Sequence, residues 1–233
     1  GNEKRFMMAN QDLRLLNARF RINTNSAIAF GASIRSYQSI KTAAYNWQDS
    51  ITGIKNFMQA NPAASPIEAA LRATAWAEVY GTYASTIAET ENGILNAGIT
   101  VKVSRALGGA YITADNINYT PAVIHNQNGF LLNSGDAAFG YSSNFDEFDN
   151  GGTAAEKRKR FMKKTWSTIS ADIGAEYIIS GDSEDDDYAY DLKIGASILD
   201  IGYNNYQYSN NSISATFNKT GVSDSLLDAT FQN

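Results

Sequence analysis

The most constraining feature of the chain is a strict two-residue alternation along one segment. Small or apolar residues occupy every second position, and polar or small residues occupy the positions between them: Leu95, Ala97, Ile99, Val101 and Val103 against Asn96, Gly98, Thr100, Lys102 and Ser104. Successive side chains of a β-strand point to opposite faces, so the segment is predicted to form a strand with one apolar face. A matching run covers 77–83, and the connection Glu89–Gly93 ends in Asn-Gly, which is typical of a hairpin turn.

The polar face of this hairpin is unusual for a soluble sheet. It carries glycine, hydroxyl and amide groups with an occasional charge, instead of a dense coat of Lys and Glu. This composition suits the water-filled or plugged interior of a barrel whose apolar face contacts lipid. We therefore predict that Ile99 and Val101 face lipid and that Thr100 and Lys102 face the lumen.

The same alternation recurs along the chain. It covers 16–22 and 28–34 on either side of the short turn Asn23–Ser26, then 169–179, 192–198 and 213–217. Charged side chains are costly on a lipid face, so the charges in these strands are predicted to point inward. The additional lumen-facing residues are Asp172, Glu176 and Lys193, and the additional lipid-facing residues are Ile173 and Ile194. The pattern predicts seven strands and allows two more.

These strands indicate an all-β fold, a single domain over residues 1–233. The predicted architecture is an antiparallel transmembrane-type β-barrel, or a large part of one, with short helices in long loops. Such a chain is a complete barrel or a portion of a longer one.

Residues 41–74 break the strand rhythm and are predicted to form a helical loop insertion. Ser65-Pro66-Ile67-Glu68 matches a capping box with proline at the first helical position, which predicts a helix over 66–74. A second short helix is predicted over 50–60. In a barrel this loop is extracellular or plugs the lumen, and the alternative is a helical cap over a soluble sheet. Residues 116–135 are predicted to be irregular, with a strand over 136–145.

Residues 146–165 are predicted to form a basic loop helix. Thr153 and Glu156 make a second capping box, and six cations follow: Lys157, Arg158, Lys159, Arg160, Lys163 and Lys164. A basic helix suits an anionic membrane surface such as lipopolysaccharide phosphates, and a solvated loop helix is the alternative interpretation.

Composition argues against several classes of function. The net charge of −5 disfavours nucleic acid as a partner, and there is no run of about 18 apolar residues. With no cysteine and one histidine, a hydrolytic triad would need His125, which has no nucleophile motif beside it. The acidic run 182–187 lacks the glycine and the later glutamate of a calcium loop. We therefore predict no enzymatic activity, no cofactor and no metal site.

Three segments carry a family resemblance. They are Ala75–Ala84, Leu95–Lys102 and Leu107–Ile112, supported by Asn25–Phe30. They resemble the Bacteroidetes-type outer-membrane β-barrel family often found ahead of an OmpA-like peptidoglycan-binding domain. The resemblance spans roughly residues 13–203. It implies residence in the bacterial outer membrane, and further strands on both sides of this region in a complete member.

Three functions remain open at this stage. The first is a non-enzymatic outer-membrane barrel that serves as an envelope anchor or as a subunit of an outer-membrane assembly. The second is a transport barrel for small or hydrophobic compounds, and the third is a soluble ligand-binding β-sandwich. The predicted partners of the barrel are outer-membrane lipid, lipopolysaccharide and other envelope proteins.

Overall fold

The computed structural model describes residues 2–47, 53–62, 66–124, 126–179, 191–218 and 222–223. Over these residues the protein is an all-β structure with nine strands, two short α-helices and one 3-10 helix. The strands are β1 (Asn2–Arg21), β2 (Ser26–Asn46), β3 (Ile67–Thr90), β4 (Gly93–Ile124), β5 (Gln127–Tyr141), β6 (Ser167–Ile179), β7 (Leu192–Ile201), β8 (Ile213–Phe217) and β9 (Val222–Ser223). The helices are α1 (Gly53–Ala60), the 3-10 helix (Ser143–Phe148) and α2 (Ala154–Lys163). None of the described helices is long and apolar enough to cross a membrane.

All strands belong to one antiparallel sheet organised around β4, which has 32 residues. One edge of β4 pairs with β3, and β2 and β1 follow outward in sequence order. The other edge has two partners in succession: β6 pairs along 93–105 and β5 pairs along 110–124. β7 adds to β6, while β8 and β9 add to β5. The predicted all-β antiparallel fold is confirmed, as are both predicted hairpin turns.

The sheet curls into a half-barrel, and the polar face is concave. Arg35 on β2 hydrogen-bonds Asp200 on β7 at 2.9 Å, although β3, β4 and β6 lie between these strands. Neighbouring strands are about 4.8 Å apart, so this contact forms because the polar face curls inward. The apolar side chains therefore lie on the convex, outer face.

A β-bulge lies where β4 changes partner. Ala75 pairs with Gly108, but the next residue, Trp76, pairs with Ala106, so Leu107 has no partner on β3. One extra residue in a strand breaks its alternation and bends it locally. The bulge therefore shifts the alternation of β4 by one position after Ala106.

The predicted helix over 66–74 is wrong, because β3 begins at Ile67. Leu71 pairs with Ile40 on one side and with Ile112 on the other, so the strand satisfies its backbone groups along both edges. The capping-box sequence favours a helix only locally. The backbone hydrogen bonds of β3 to β2 and to β4 outweigh this preference. The predicted insertion over 41–74 is accordingly shorter and consists of the connection 47–66. The helix described in this connection is α1, which lies within the predicted helix over 50–60.

Two further expectations change with the structure. Residues 116–135, expected to be irregular, belong largely to β4 and β5, which pair from Asn118 with Ser134 to Ile124 with Gln127. Strand β5 begins well before the expected 136–145 segment and ends at Tyr141. The acidic run 182–187 and His125 lie outside the described residues.

A small apolar core lies at the end of the sheet opposite the turns 22–25 and 91–92. It consists of Tyr45, Met58, Ile67, Tyr119, Phe130 and Leu132, all buried. Helix α1 contributes Met58, whose backbone carbonyl accepts a 2.8 Å hydrogen bond from the Tyr119 hydroxyl. The helix thus packs at the end of the sheet where β2 connects to β3.

Candidate membrane-facing wall and charged interior

The outer face carries a continuous band of exposed apolar side chains. The register aligns Val79 with Val103, Ile99 with Ile173, and Ile173 with Ile198 across neighbouring strands. The four residues predicted to face lipid, Ile99, Val101, Ile173 and Ile194, all lie on this face and are between 44% and 59% exposed. A contiguous apolar surface of this kind marks a site of contact with another apolar phase.

The band has a defined height. On β2 it runs from Ile28 to Ile34, after which the same face continues with Ser36 and Gln38. On β3 it gives way to Ala75 and Ala73 at the same level. Beyond this interruption a second apolar row follows on the same face, made by Ile40, Leu71 and Ile112. Strands β6 and β7 lie only beside the part of the sheet that carries the apolar band, and they have 13 and 10 residues. A tilted transmembrane strand needs about 9–11 residues, a length that both β6 and β7 reach.

The concave face holds a charged cluster centred on Lys102. The Lys102 ammonium lies 2.7 Å from Asp172 and 2.6 Å from Asp200, and its side chain is 8% exposed. The backbone N–H of Asp200 also donates to the Asp172 carboxylate at 2.7 Å. These bonds tie the end of β7 to β6 and β4 across the interior.

Arg35 and Glu78 extend this cluster toward β2 and β3. Glu78 is buried and accepts hydrogen bonds from Ser33 and from the Trp76 indole, both at 3.0 Å. The Arg35 guanidinium lies 3.8 Å from Glu78 and 2.9 Å from Asp200, and it stacks 5.3 Å from the centre of the Trp76 ring. A carboxylate in a confined site is tolerated because it is paired and hydrogen-bonded in this way.

Residues 202–212, which we call the strap, cross the concave side from β7 to β8. The Tyr206 hydroxyl donates to the carbonyl of Ala75, and the Tyr206 ring packs beside Gly109. Buried Ser209 donates to Asp146 at 2.9 Å, and its backbone N–H donates to the carbonyl of Tyr141. The strap therefore joins the interior side of the sheet near the bulge to the 3-10 helix (Ser143–Phe148).

Residues 143–164 form a unit that we call the helical module. It consists of the 3-10 helix, residues 149–153 and α2, and it packs on the outer face directly above the apolar band. Phe145 lies against Gly108, whereas Tyr206 of the strap lies against Gly109. Consecutive strand residues face opposite sides of a sheet. The Phe145 ring therefore packs on Gly108 at the outer face, and the Tyr206 ring packs on Gly109 at the inner face. Arg105 on the outer face donates to Thr165 at 2.6 Å and to the carbonyl of Met162, which pins the C-terminal end of α2.

Glu147 holds the module together internally. Its carboxylate lies 2.9 Å from both the Lys164 ammonium and the Arg160 guanidinium, and it accepts a hydrogen bond from Asn150. The bond from Lys164, with those from Asn150 and Arg160, lowers the pKa of Glu147 to about 2. The predicted capping box of Thr153 and Glu156 is confirmed and starts α2.

The predicted lumen-facing residues all lie on the polar face. Thr100 hydrogen-bonds Thr82 at 2.8 Å, and Glu176 pairs with Lys193 at 2.7 Å near the exposed edge of the sheet. Lys102 and Asp172 belong to the central cluster. Sequence reasoning missed Arg35, Glu78 and Asp200 as cluster members. Arg35 and Asp200 are 165 positions apart in the sequence, and no local sequence pattern predicts a contact over that separation.

Among the described residues, no group of three or more His, Asp or Glu side chains is arranged to hold a metal ion. The carboxylates of the interior cluster are each engaged by a cation or by hydrogen-bond donors. The arrangement is suited to fixing strands and the strap in place.

Comparison with known proteins gives one match. No curated protein and no solved structure matches the chain. The model of a family of unknown function, DUF5723, matches residues 2–233, which is nearly the whole sequence. The chain therefore belongs to the DUF5723 family.

Proposed function

We propose that this protein forms the wall of a bacterial outer-membrane β-barrel and acts without catalysis, as an envelope anchor or as a subunit of an outer-membrane assembly. The observation that carries the proposal is the exposed apolar band of Ile99, Val101, Ile173 and Ile194. Burying one such side chain is worth about 1.5–3 kcal/mol, so a band of this extent strongly favours an apolar surrounding. Bilayer lipid and lipopolysaccharide are the proposed surroundings.

The proposal includes closure of the wall by further strands. In the described part of the chain, β1 and β7 each pair on one edge only. Backbone N–H and C=O groups at an open edge are not satisfied within a bilayer core, so spanning sheets close into barrels. The resemblance of 75–84 and 95–102 to an outer-membrane barrel family supports this closure. The additional strands come from the same polypeptide or from another envelope protein.

An anchor is favoured over a transport barrel by the occupied interior. Lys102, Asp172 and Asp200 bridge the concave side, and the strap lies across it near Gly109. A route for a solute would require these contacts to separate. Transport of a small or hydrophobic compound is the second candidate, favoured by the polar lining of Thr100 and its neighbours.

Outer-membrane fractionation and heat-modifiable gel migration test the proposal. We expect the protein to fractionate with the outer membrane and to migrate differently when unheated, because a folded barrel resists detergent unfolding. Recovery as a monodisperse protein without detergent would instead support the soluble β-sandwich. Stable, reproducible channels in planar bilayers would favour transport over an anchor.

A further inference from the structure

The six cations of the helical module are not equivalent. Arg160 and Lys164 are bound to Glu147, and Lys157 donates to the backbone carbonyl of Phe148. Arg158, Lys159 and Lys163 are exposed and form no ion pair with any described residue. The bound cations hold the module together, which leaves three charges available to a partner.

These three charges project from the outer side of the molecule. The opposite side of α2 carries Phe161, which contacts Phe145 and Phe148, and Arg160, which contacts Glu147. That side packs toward the sheet, so Arg158, Lys159 and Lys163 point away from it. Lys159 and Lys163 lie one helical turn apart and share a face.

The module sits at the upper boundary of the apolar band. Val103 and Ile169, which pair at the top of the band, are exposed, whereas Ser36 and Ala75 above them are covered by Phe145 and Phe161. Trp166 lies between the module and β6, is 54% exposed, and accepts a backbone hydrogen bond from Ala106. Exposed Trp and cations at one level are characteristic of the bilayer interface.

We propose that Arg158, Lys159 and Lys163 form a binding surface for the phosphate groups of anionic lipid headgroups. The inference rests on the proposed outer-membrane location, since it places α2 in the headgroup layer beside the band. A cation near an anionic membrane surface contributes about 1 kcal/mol, which corresponds to a roughly five-fold preference. Three such cations give a marked selectivity for anionic over neutral lipid at this position.

Tryptophan quenching by brominated lipids tests the proposal. The chain has three tryptophans, so replacing Trp47 and Trp76 with Phe leaves Trp166 as the single reporter. The protein is reconstituted in mixed vesicles in which either phosphatidylglycerol or phosphatidylcholine is brominated. We expect brominated phosphatidylglycerol to associate at Trp166 at least about five-fold more strongly than brominated phosphatidylcholine. Salt should reduce this preference.

The test variant is Arg158→Gln/Lys159→Gln/Lys163→Gln. The matched control is Lys4→Gln/Lys41→Gln/Arg72→Gln, which removes the same charge from exposed cations outside the module. Loss of the lipid preference in the first variant and its retention in the control would support the inference. Equal quenching by both lipids in the parent protein would overturn it.

A second reporter separates this inference from the proposed function. Ile173→Trp, in a background with Phe at all three native tryptophans, places the probe within the apolar band. Quenching of this probe by both brominated lipids, with no preference at Trp166, would overturn the headgroup site and leave the barrel proposal intact. Absence of quenching at both positions in a protein of native gel migration would overturn both.

Discussion

At the residue scale, each position of an alternating strand has one of two environments. Ile99 is exposed on the outer face, while its neighbour Thr100 hydrogen-bonds Thr82 on the inner face. Two adjacent positions of one strand therefore respond differently to the same substitution.

Arginine substitutions at Ile99 and Thr100 should differ in their effect on stability. An arginine at a mid-bilayer lipid position costs about 2–4 kcal/mol, so Ile99→Arg should lower the free energy of unfolding in liposomes by about that amount. Thr100→Arg is the matched control and should cost markedly less, because it reaches the polar interior near Asp172. Equal losses in denaturant titrations would show that the outer face does not contact lipid.

The second prediction concerns Lys102. Lys102→Met leaves Asp172 without its cation and Asp200 with Arg35 alone, and we expect a loss of about 3 kcal/mol, at the low end of the roughly 3–5 kcal/mol typical of a broken buried pair. The low end applies because the Asp200 side chain is 45% exposed. Denaturant titration in liposomes measures the change.

Lys193→Met is the control for Lys102→Met. It removes an ion pair on the same face, but Lys193 and Glu176 are 44% and 36% exposed. Exposed pairs contribute about 0–1 kcal/mol, so this substitution should have little effect. Similar losses for both variants would show that the interior cluster has no special role in stability.

At the element scale, the helical module is a unit held by one carboxylate. Glu147 connects the 3-10 helix to α2 through Arg160 and Lys164, while the capping box fixes the start of α2. The packing of α2 against the 3-10 helix should therefore depend on pH through Glu147.

The direction of this pH dependence follows from the lowered pKa. The pKa of Glu147 is lowered from 4.5 to about 2 by Lys164, Asn150 and Arg160. Its stabilisation of the module is thus fully present above 4.5 and is lost as the pH falls toward 2. The chain has no native cysteine, so Ala155→Cys provides a single thiol for a spin label. The label should become more mobile as the pH falls from 4.5 to 2.

Glu147→Gln is the critical variant for this prediction. It should leave the label mobile at neutral pH and remove most of the change between pH 4.5 and 2. Asp149→Asn, at an exposed carboxylate on the same segment, should preserve the wild-type profile. An unchanged profile in the Gln variant would assign the pH response to other groups.

At the scale of the whole molecule, the two ends of the sheet differ. One end has the short turns 22–25 and 91–92, and the other has the long connection with α1, the apolar core and the β4–β5 turn at Asn126. Outer-membrane barrels keep short turns on the periplasmic side, so the α1 end is expected to be extracellular.

Cysteine labelling tests this orientation directly, since the chain has no native cysteine. Asn126→Cys, at the exposed turn between β4 and β5, should react with a membrane-impermeant maleimide in intact cells. Asn92→Cys, at the exposed turn between β3 and β4, should react only after the outer membrane is permeabilised. The reverse pattern would invert the topology.

The sequence alone determined the alternating segments of the strands, their two faces, both predicted hairpin turns and the start of α2, because these depend on local alternation, turn residues and capping residues. Only the tertiary structure decided that Leu71 belongs to a strand, since its pairing with Ile40 and Ile112 outweighs a local helix signal. It likewise decided the cluster of Arg35, Lys102 and Asp200, because curling the sheet brings distant strands together. Local chemistry selects a strand and its faces, whereas partners and curvature arise from contacts between residues far apart in the chain.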